Sequence, residues 1–389
     1  MSKILVTASI RRNVDCRLVV SANPDLSSPS YSSAETPVDN LVKLELTGLS
    51  ADTQYYYGIE VDGTLAPNRG TFRTLPASGS FRVGLAADRK AYTPSLCLDA
   101  IAACDPNFLI TLGDSHYQDV NTAAEKPHLE AYRKMMDGPS WGRLLRRMQI
   151  YDIWDDHDYC GDDTYSNATG KDGACKAFRT FWPHPTLENA TTTDPIYYSL
   201  KVGRVVFLFT DLRSPSSAKG ATDNSSKSMM GSTQKAWFKS VLADSANSDC
   251  LFVWINSRAW GSTTASGVDS WGGYNTERVE LADYVQATCP GRFCVIHADT
   301  HATGIDDGSN HDFVTTGSEP IPTFLVSPID HDFNGWNNTG TYSEGTSVGN
   351  GQFGIMDITD TGGSSIGVDW IAYDRDLSVL VSHSFSISV

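Results

Sequence analysis

The hydrophobic pattern of the chain changes character near residue 80. Before that point, apolar and aromatic residues fall in short runs with no helical period. Residues 17–20, 42–46, 54–61 and 70–74 are such runs, separated by clusters of Pro, Gly, Asn, Asp and Ser, which is how strands joined by turns read. Asp62-Gly63, directly after the tyrosine-rich run, is a hairpin signal. Residues 1–76 are therefore expected to form a small β-sandwich, followed by the linker Pro76-Ala77-Ser78-Gly79-Ser80. From residue 81 onward, strand-like runs alternate with helical ones, which predicts a layered α/β domain over 81–389. The strand candidates are 81–86, 108–112, 149–153, 202–209, 250–255 and 293–296. Helices are predicted over 234–242 behind Thr233, and over 277–287 behind Asn275 or Thr276, with Val279, Leu281, Tyr284 and Val285 mostly on one face. The serine-rich patch 214–228 reads as a loop, and neither an internal repeat nor a low-complexity tract is present.

Composition adds limits. With 389 residues, 40% hydrophobic and 20% charged, the chain can bury a core and is not disordered by composition. A formal charge of −16 argues against nucleic acid or anionic membranes as partners. No run approaches the ~20 apolar residues that cross a bilayer, and the N-terminus lacks a signal-peptide pattern. The expectation is a soluble protein, cytoplasmic as written, or extracellular or periplasmic if a leader has been removed. None of the eight cysteines has zinc-finger spacing. Cys160 and Cys175 bracket a Gly/Asp-rich loop, so a disulfide and two buried thiols both remain open.

The chemistry collects where the strands end. The runs terminate, in order, at Asp88; at Gly113-Asp114 with Tyr117 three positions on; at Asp155-Asp156-His157-Asp158; at Asp211-Leu212-Arg213; at Asn256; and at His297-Ala298-Asp299-Thr300-His301. Ligands of open α/β sheets bind outside the carboxyl ends of the strands. A single Asp there is ordinary turn or cap chemistry, but six successive strand ends bearing oxygen or imidazole groups are not. Asp155, Asp156 and Asp158, with Asp162 and Asp163 soon after, are too dense an anion cluster to bury unless they pair or bind metal. Trp154, His157 and Tyr159 are interleaved with them and would anchor the segment. Such ligands suit Ca²⁺, Mn²⁺, Fe or Zn²⁺. Two such ions ~3.5–4 Å apart clamp a phosphoryl displacement, and they would also offset the negative field that repels a phosphate ester.

In this order the blocks resemble the calcineurin-like metallophosphoesterases, and among them the alkaline phosphatase D (PhoD-like) family. The most specific block is Trp154-Asp155-Asp156-His157-Asp158-Tyr159, in the place of the superfamily's Gly-Asn-His-Asp motif. The resemblance covers most of residues 81–330. It implies a four-layer α/β/β/α sandwich, and the preceding strands, with Leu46-Thr47-Gly48-Leu49 and Phe72-Arg73-Thr74-Leu75-Pro76, resemble a fibronectin type III-like module. By the same resemblance, Asp88, Asp114, Tyr117, Asp156, Asn256, Asp299 and His301 are expected metal ligands, with Asp114 bridging two ions. His157 is expected to assist the leaving group and Arg213 to clamp phosphate, with Asp155 and Asp158 orienting their neighbours. The implied activity is hydrolysis of phosphate mono- or diesters by a metal-bound hydroxide, on a small-molecule substrate. The first block departs from the family: 81–90 has no cysteine, where the family places an iron ligand, and Lys90 stands where the wider superfamily has His. A hard-cation site is thus expected rather than an iron–cysteinate one. Ser115-His116 replaces an aromatic pair, making His116 either a new contact or a surface residue. His331 either lines the pocket or sits in a turn. Trp260, Trp271 and Trp336 either shape the pocket or staple loops, and His184, between two prolines, reads as structural. The competing class is a calcium-stabilised secreted adhesion or carbohydrate-binding protein without catalysis. His157, Asp299 and His301 speak against it, because structural Ca²⁺ sites prefer oxygen ligands.

Overall fold

The computed structural model describes residues 2–89, 95–189, 191–317, 319–331 and 340–389; Lys90 and Trp336 lie outside them. The N-terminal strands are β1 (Ser2–Ser9), β2 (Cys16–Ser21), β3 (Ser30–Tyr31), β4 (Leu41–Leu49), β5 (Gln54–Val61) and β6 (Thr64–Arg73). They form a two-stranded sheet, β1-β4, and a four-stranded sheet, β3-β2-β5-β6. Between them lies a core of Ile4, Cys16, Leu18, Val20, Val42, Leu44 and Phe72. The predicted turn joins β5 to β6: Val61 pairs with Thr64, and Asp62 and Gly63 both have positive φ, 51° and 70°, as a two-residue type I′ hairpin needs.

The larger part runs β7 (Phe81–Ala86), α1 (Leu96–Ala103), β8 (Phe108–Leu112), α2 (Glu125–Met136), α3 (Pro139–Leu145), β9 (Gln149–Ile153), α4 (Asp156–Tyr159), α5 (Lys171–Phe181), β10 (Tyr198–Val202), β11 (Val205–Phe209), α6 (Gly231–Ala243), β12 (Leu251–Asn256), α7 (Asn275–Thr288) and β13 (Phe293–His297). It closes with β14 (Ala302–Asp306), β15 (Thr323–Leu325), β16 (Gly345–Val348), β17 (Gln352–Thr359), β18 (Ser365–Asp374) and β19 (Val379–Ser388). Two sheets result, ordered β19-β18-β17-β7-β8-β9 and β10-β11-β12-β13-β15-β14-β16. Within them β7, β8 and β9 are parallel, as are β11, β12 and β13. Six carboxyl ends therefore reach the same rim.

The four-layer α/β/β/α order follows from which face each residue takes. Along β11, Val205, Phe207 and Phe209 join the core between the sheets, while Val206 and Leu208 face the layer of Phe238, Leu242, Leu281 and Val285 from α6 and α7. β12 splits the same way, Val253 and Ile255 inward and Phe252 and Trp254 outward. Phe207 meets Phe81 and Phe108 of the other sheet at 6.3 and 5.7 Å between centroids. On that sheet's outer face Gly84 lets α1 pack close: a Cβ there would sit 3.1 Å from Leu109 and 3.2 Å from Ile101 of α1. Strands buried on both faces read as largely apolar runs, and these strands carry that pattern. The run 202–209 is two antiparallel strands turning at Gly203-Arg204, and the predicted helices extend further, to Gly231–Ala243 and Asn275–Thr288. Thr233 and Thr276 lie inside those helices rather than capping them. Strands β17–β19 had no counterpart in the sequence reading.

Candidate metal centre

Three of the strand ends, those of β7, β8 and β13, deliver their side chains through a locally unusual backbone. Asp88, Asp114, Asp299 and His301 all have positive φ, from 52° to 77°. Among non-glycine residues Asp and His enter this region most readily, and strain of this kind gathers at functional sites. Gly113 has φ 93°, and a Cβ on it would lie 2.7 Å from the carbonyl carbon of Trp154 and closer still to the backbone nitrogen of Asp155. Only glycine lets the loop after β8 lie on the loop after β9. Asp158 then ties the two together, its carboxylate accepting from the backbone of Ser115 (2.9 Å), His116 (3.2 Å) and Asp155 (3.3 Å). Trp154 anchors the segment as expected: it is fully buried, packs on Tyr159 and Phe178, and donates to Asp211 at 2.8 Å.

The expected ligands converge unequally. Three sets have ligand atoms all within 4.8 Å of one another: Asp88, Asp114 and His301; Asp114, Asp156 and His157; and Asp155, Asp156 and Asp299. Asp114 belongs to two of these sets and Asp156 to two. Tyr117 joins through its hydroxyl, 3.1 Å from His301 Nε2. Asn256 is buried at the end of β12, but its side-chain oxygen accepts from Arg258 N and from Trp271 Nε1, at 3.1 and 3.2 Å. Its Nδ2 meets no hydrogen-bond partner among the described residues, and an amide nitrogen is not a cation ligand. Arg213 is also fully buried and makes a bidentate pair with Asp155, at 2.5 and 2.8 Å. It donates to Asp269 as well, with Asp156 and Asp299 at 3.5 and 4.0 Å. Its fork is thus engaged by carboxylates.

Other residues enter that the strand-end pattern did not single out. Asp119 Oδ1 lies 2.6 Å from His157 Nδ1, leaving the opposite ring nitrogen clear of that contact. The only signal for it was its place five positions after Asp114. Asp269 forms a further set with Asp156 and Asp163 and comes from a Gly/Ser-rich loop with no signal at all. His331 lines the cleft, its ring 4.4 Å from both Tyr117 and His301. Other residues take structural places. His116 is buried against Tyr132, His184 stacks on Phe178, and Trp260 and Trp271 pack on Trp254 and each other beside Asn256. Cys160 and Cys175 are both free, buried thiols.

The electrostatics explain why such a site calls for cations. Asp88, Asp114, Asp155, Asp156 and Asp158 are each no more than 4% exposed. Burial, reinforced by Asp156 and Asp155, holds the Asp114 carboxyl well above the usual range. Burial also raises Asp88 and Asp299, and lifts Asp156 to about 6 and Asp158 to about 7. Asp269 goes the other way, to about 2: burial opposes its charge, but Arg213 and Arg258 outweigh it. At His157 burial opposes the charged ring, and Asp156 and Asp119 outweigh that, raising its pKa. Carboxylates that resist ionising together are what a bound dication relieves. Among the described residues no cysteine belongs to any of the sets, so the donors suit hard or borderline cations. The cleft above them is about 220 Å³ and is lined by Asp114, Tyr117, Asp156, His157, Asp299 and His301, among others.

Comparison with known proteins agrees. A solved structure titled "Structure of PhoD" superposes with a TM-score of 0.76 at 15% identity, covering 100% of this chain and 88% of the other, which shows a shared fold. A 5'-nucleotidase precursor from Thermus thermophilus matches at a TM-score of 0.29 and 12% identity, over 80% of this chain and 54% of that one, too weak a likeness to argue from. No curated protein matches by sequence. The family model for PhoD-like phosphatases matches residues 95–368, well over half of the chain. The chain belongs to the PhoD-like phosphatase family.

Proposed function

We propose that the protein is a metal-dependent hydrolase of small phosphate esters, acting as a phosphodiesterase or phosphomonoesterase. The observation that carries this is the sharing of Asp114 between the set with Asp88 and His301 and the set with Asp156 and His157. Shared carboxylates of this kind suit two adjacent cations. Asp88, Asp114, Tyr117, Asp156, Asp299 and His301 would hold them, and Asn256 would join if its amide turned its oxygen toward the cleft. Ca²⁺, Mn²⁺, Fe or Zn²⁺ suits this donor set. When bound, two such ions polarise the phosphoryl oxygens and acidify a water that can act as nucleophile.

The side chains supply the rest. His157, whose charged form Asp156 and Asp119 favour against burial, presents a proton to the departing oxygen, and Asp119 fixes the ring so that Nδ1 stays with the carboxylate. The phosphate-clamp role expected of Arg213 gives way to a positioning role, because its guanidinium already holds Asp155 and Asp269. We divide the chain into residues 1–76 and 81–389, with catalysis in the second unit.

The test is hydrolysis of bis-p-nitrophenyl phosphate and p-nitrophenyl phosphate, with and without chelator. Chelator-sensitive turnover of either supports the reading. No turnover with any of the four metals restored would return the protein to the class of calcium-stabilised binding proteins.

A further inference from the structure

A cavity of about 870 Å³ lies away from the metal-site residues, between the N-terminal sandwich and the layered domain. Its volume is within the ~300–1,000 Å³ range of small-molecule sites. One wall is β1 with Ile59 of β5 and Phe72 of β6; the facing wall includes Leu145, Met148 and Trp182. Among the described residues β1 pairs on one edge, with β4, and most of its side chains are half-buried.

The charges around it are one-sided. The chain carries 46 Asp and Glu against 30 Lys and Arg, yet none of the described residues lining the cavity is acidic, while Lys3, Arg69, Arg146 and Lys201 line it. Lys3 is paired with Glu45 at 2.9 Å, and Lys201 is bonded to Ala246 O and Asn247. The two arginines differ. Arg69 donates to the backbone carbonyls of Ala66 and Asn68, and neither Arg69 nor Arg146 has an ion pair among the described residues. Their backbones lie close: the carbonyl of Arg146 accepts from the backbone N–H of Thr71 at 2.6 Å, two residues along β6 from Arg69, and both side chains line the cavity. The hydroxyl of Tyr57 shares the lining; burial pushes its pKa up to about 12, and the Arg146 guanidinium pulls against this.

These features select an occupant. Both guanidiniums are solvent-exposed beside the apolar walls, so they favour an anionic head over a neutral or cationic one, while a polyanion would gain nothing from the apolar walls. A planar guanidinium fork fits a carboxylate or phosphate bidentately. We infer that this cavity binds a single-chain amphiphile with an acidic head group, its tail between β1 and the Leu145–Met148 wall and its head at Arg69 and Arg146. The site stands apart from the catalytic reading and does not depend on it.

The test uses the full chain and a dansyl-labelled undecanoate, read by its fluorescence. Saturable binding is expected, displaced by palmitate or hexadecyl phosphate but not by hexadecanol or hexadecylamine at equal concentration. Palmitate acting alone would assign a carboxylate head, and hexadecyl phosphate alone a phosphate head. Arg146→Glu is expected to weaken binding at least tenfold. Val6→Trp, filling the cavity from β1, is expected to abolish it, with circular dichroism and melting temperature reporting that both variants fold. Absence of saturable binding, equal displacement by the neutral or cationic amphiphile, or unchanged affinity in Arg146→Glu overturns the inference. So does a concentration-dependent dimer, seen by sedimentation and lost in Val6→Trp without any amphiphile binding, since the groove would then belong to a second copy of the chain.

Discussion

At the scale of single residues, His157 and Gly113 carry the sharpest expectations. His157 sits between Asp114, whose carboxylate accepts its backbone N–H at 3.3 Å, and Asp119, which holds Nδ1. General acid catalysis contributes ~10²–10⁴-fold. His157→Ala is therefore expected to lower kcat within that range while metal content, measured on the purified protein, falls little. Loss of metal in step with rate would make His157 a ligand instead. Asp119→Asn is expected to cost less rate but to move the alkaline limb of the kcat profile to lower pH, because a carboxylate that raises the His157 pKa has been removed. Gly113 tests the backbone: Gly113→Ala drives a methyl into the backbone of Trp154 and Asp155 at a φ that L residues avoid. It is expected to lower the melting temperature and impair metal uptake together. The family motifs name Asp114, Asp156, Asp299 and His301 from sequence alone. They do not reveal that three of these, and Asp88, need left-handed backbone.

At the scale of elements, the central strands of both sheets are buried on both faces, and the layers meet through residues of alternate parity. Phe207 on β11 touches Phe81 and Phe108 across the gap. Phe207→Ala is expected to destabilise the fold by ~3–5 kcal/mol, the usual cost for a fully buried aromatic, as read by urea denaturation. The loop after β11 makes a different kind of contact. Removing Arg213 would strand buried Asp155 and the neighbouring Asp269, and breaking one side of such a pair typically costs ~3–5 kcal/mol. Arg213→Ala should thus destabilise far more than Arg82→Ala, whose partner Asp357 is partly exposed. Equal losses for the two would deny Arg213 its positioning role. The strands β7, β8 and β9 were legible with their bounds because apolar runs of five or six residues admit little else. Strands β17–β19 were overlooked although Ile366, Val368, Trp370 and Ala372 of β18 alternate cleanly with more exposed neighbours. Their order beside β7 is a pairing choice among distant segments, which no local pattern encodes.

At the scale of the whole molecule, a −16 chain gathers buried carboxylates at one rim, and this links stability to pH and cations. Asp156 and Asp158 have folded-state values raised to about 6 and about 7, against ~3.9 in an unfolded chain. A raised carboxyl contributes stability that is fully present below its unfolded pKa and is lost as pH rises through the folded value. Metal-free protein should therefore lose this contribution between about pH 4 and 7. A cation binds the ionised form, so the gain in melting temperature on adding metal is expected to grow from about pH 5 to about pH 8 in paired scans of chelated and reloaded protein. A constant gain would detach these carboxylates from the metal site. The sequence by itself determined the strand-rich start, the α/β alternation, the family and most of the side chains that converge at the rim. Those are carried by local periodicity and by short motifs whose residues are near one another in the chain. Tertiary structure alone decided that Arg213 faces Asp155 and Asp269, that Asp119 holds His157, that His331 joins the cleft and that Arg69 and Arg146 share an apolar cavity. Each of these joins residues from separate loops or strands, and side-chain direction there is set by packing between layers rather than by any neighbour in sequence.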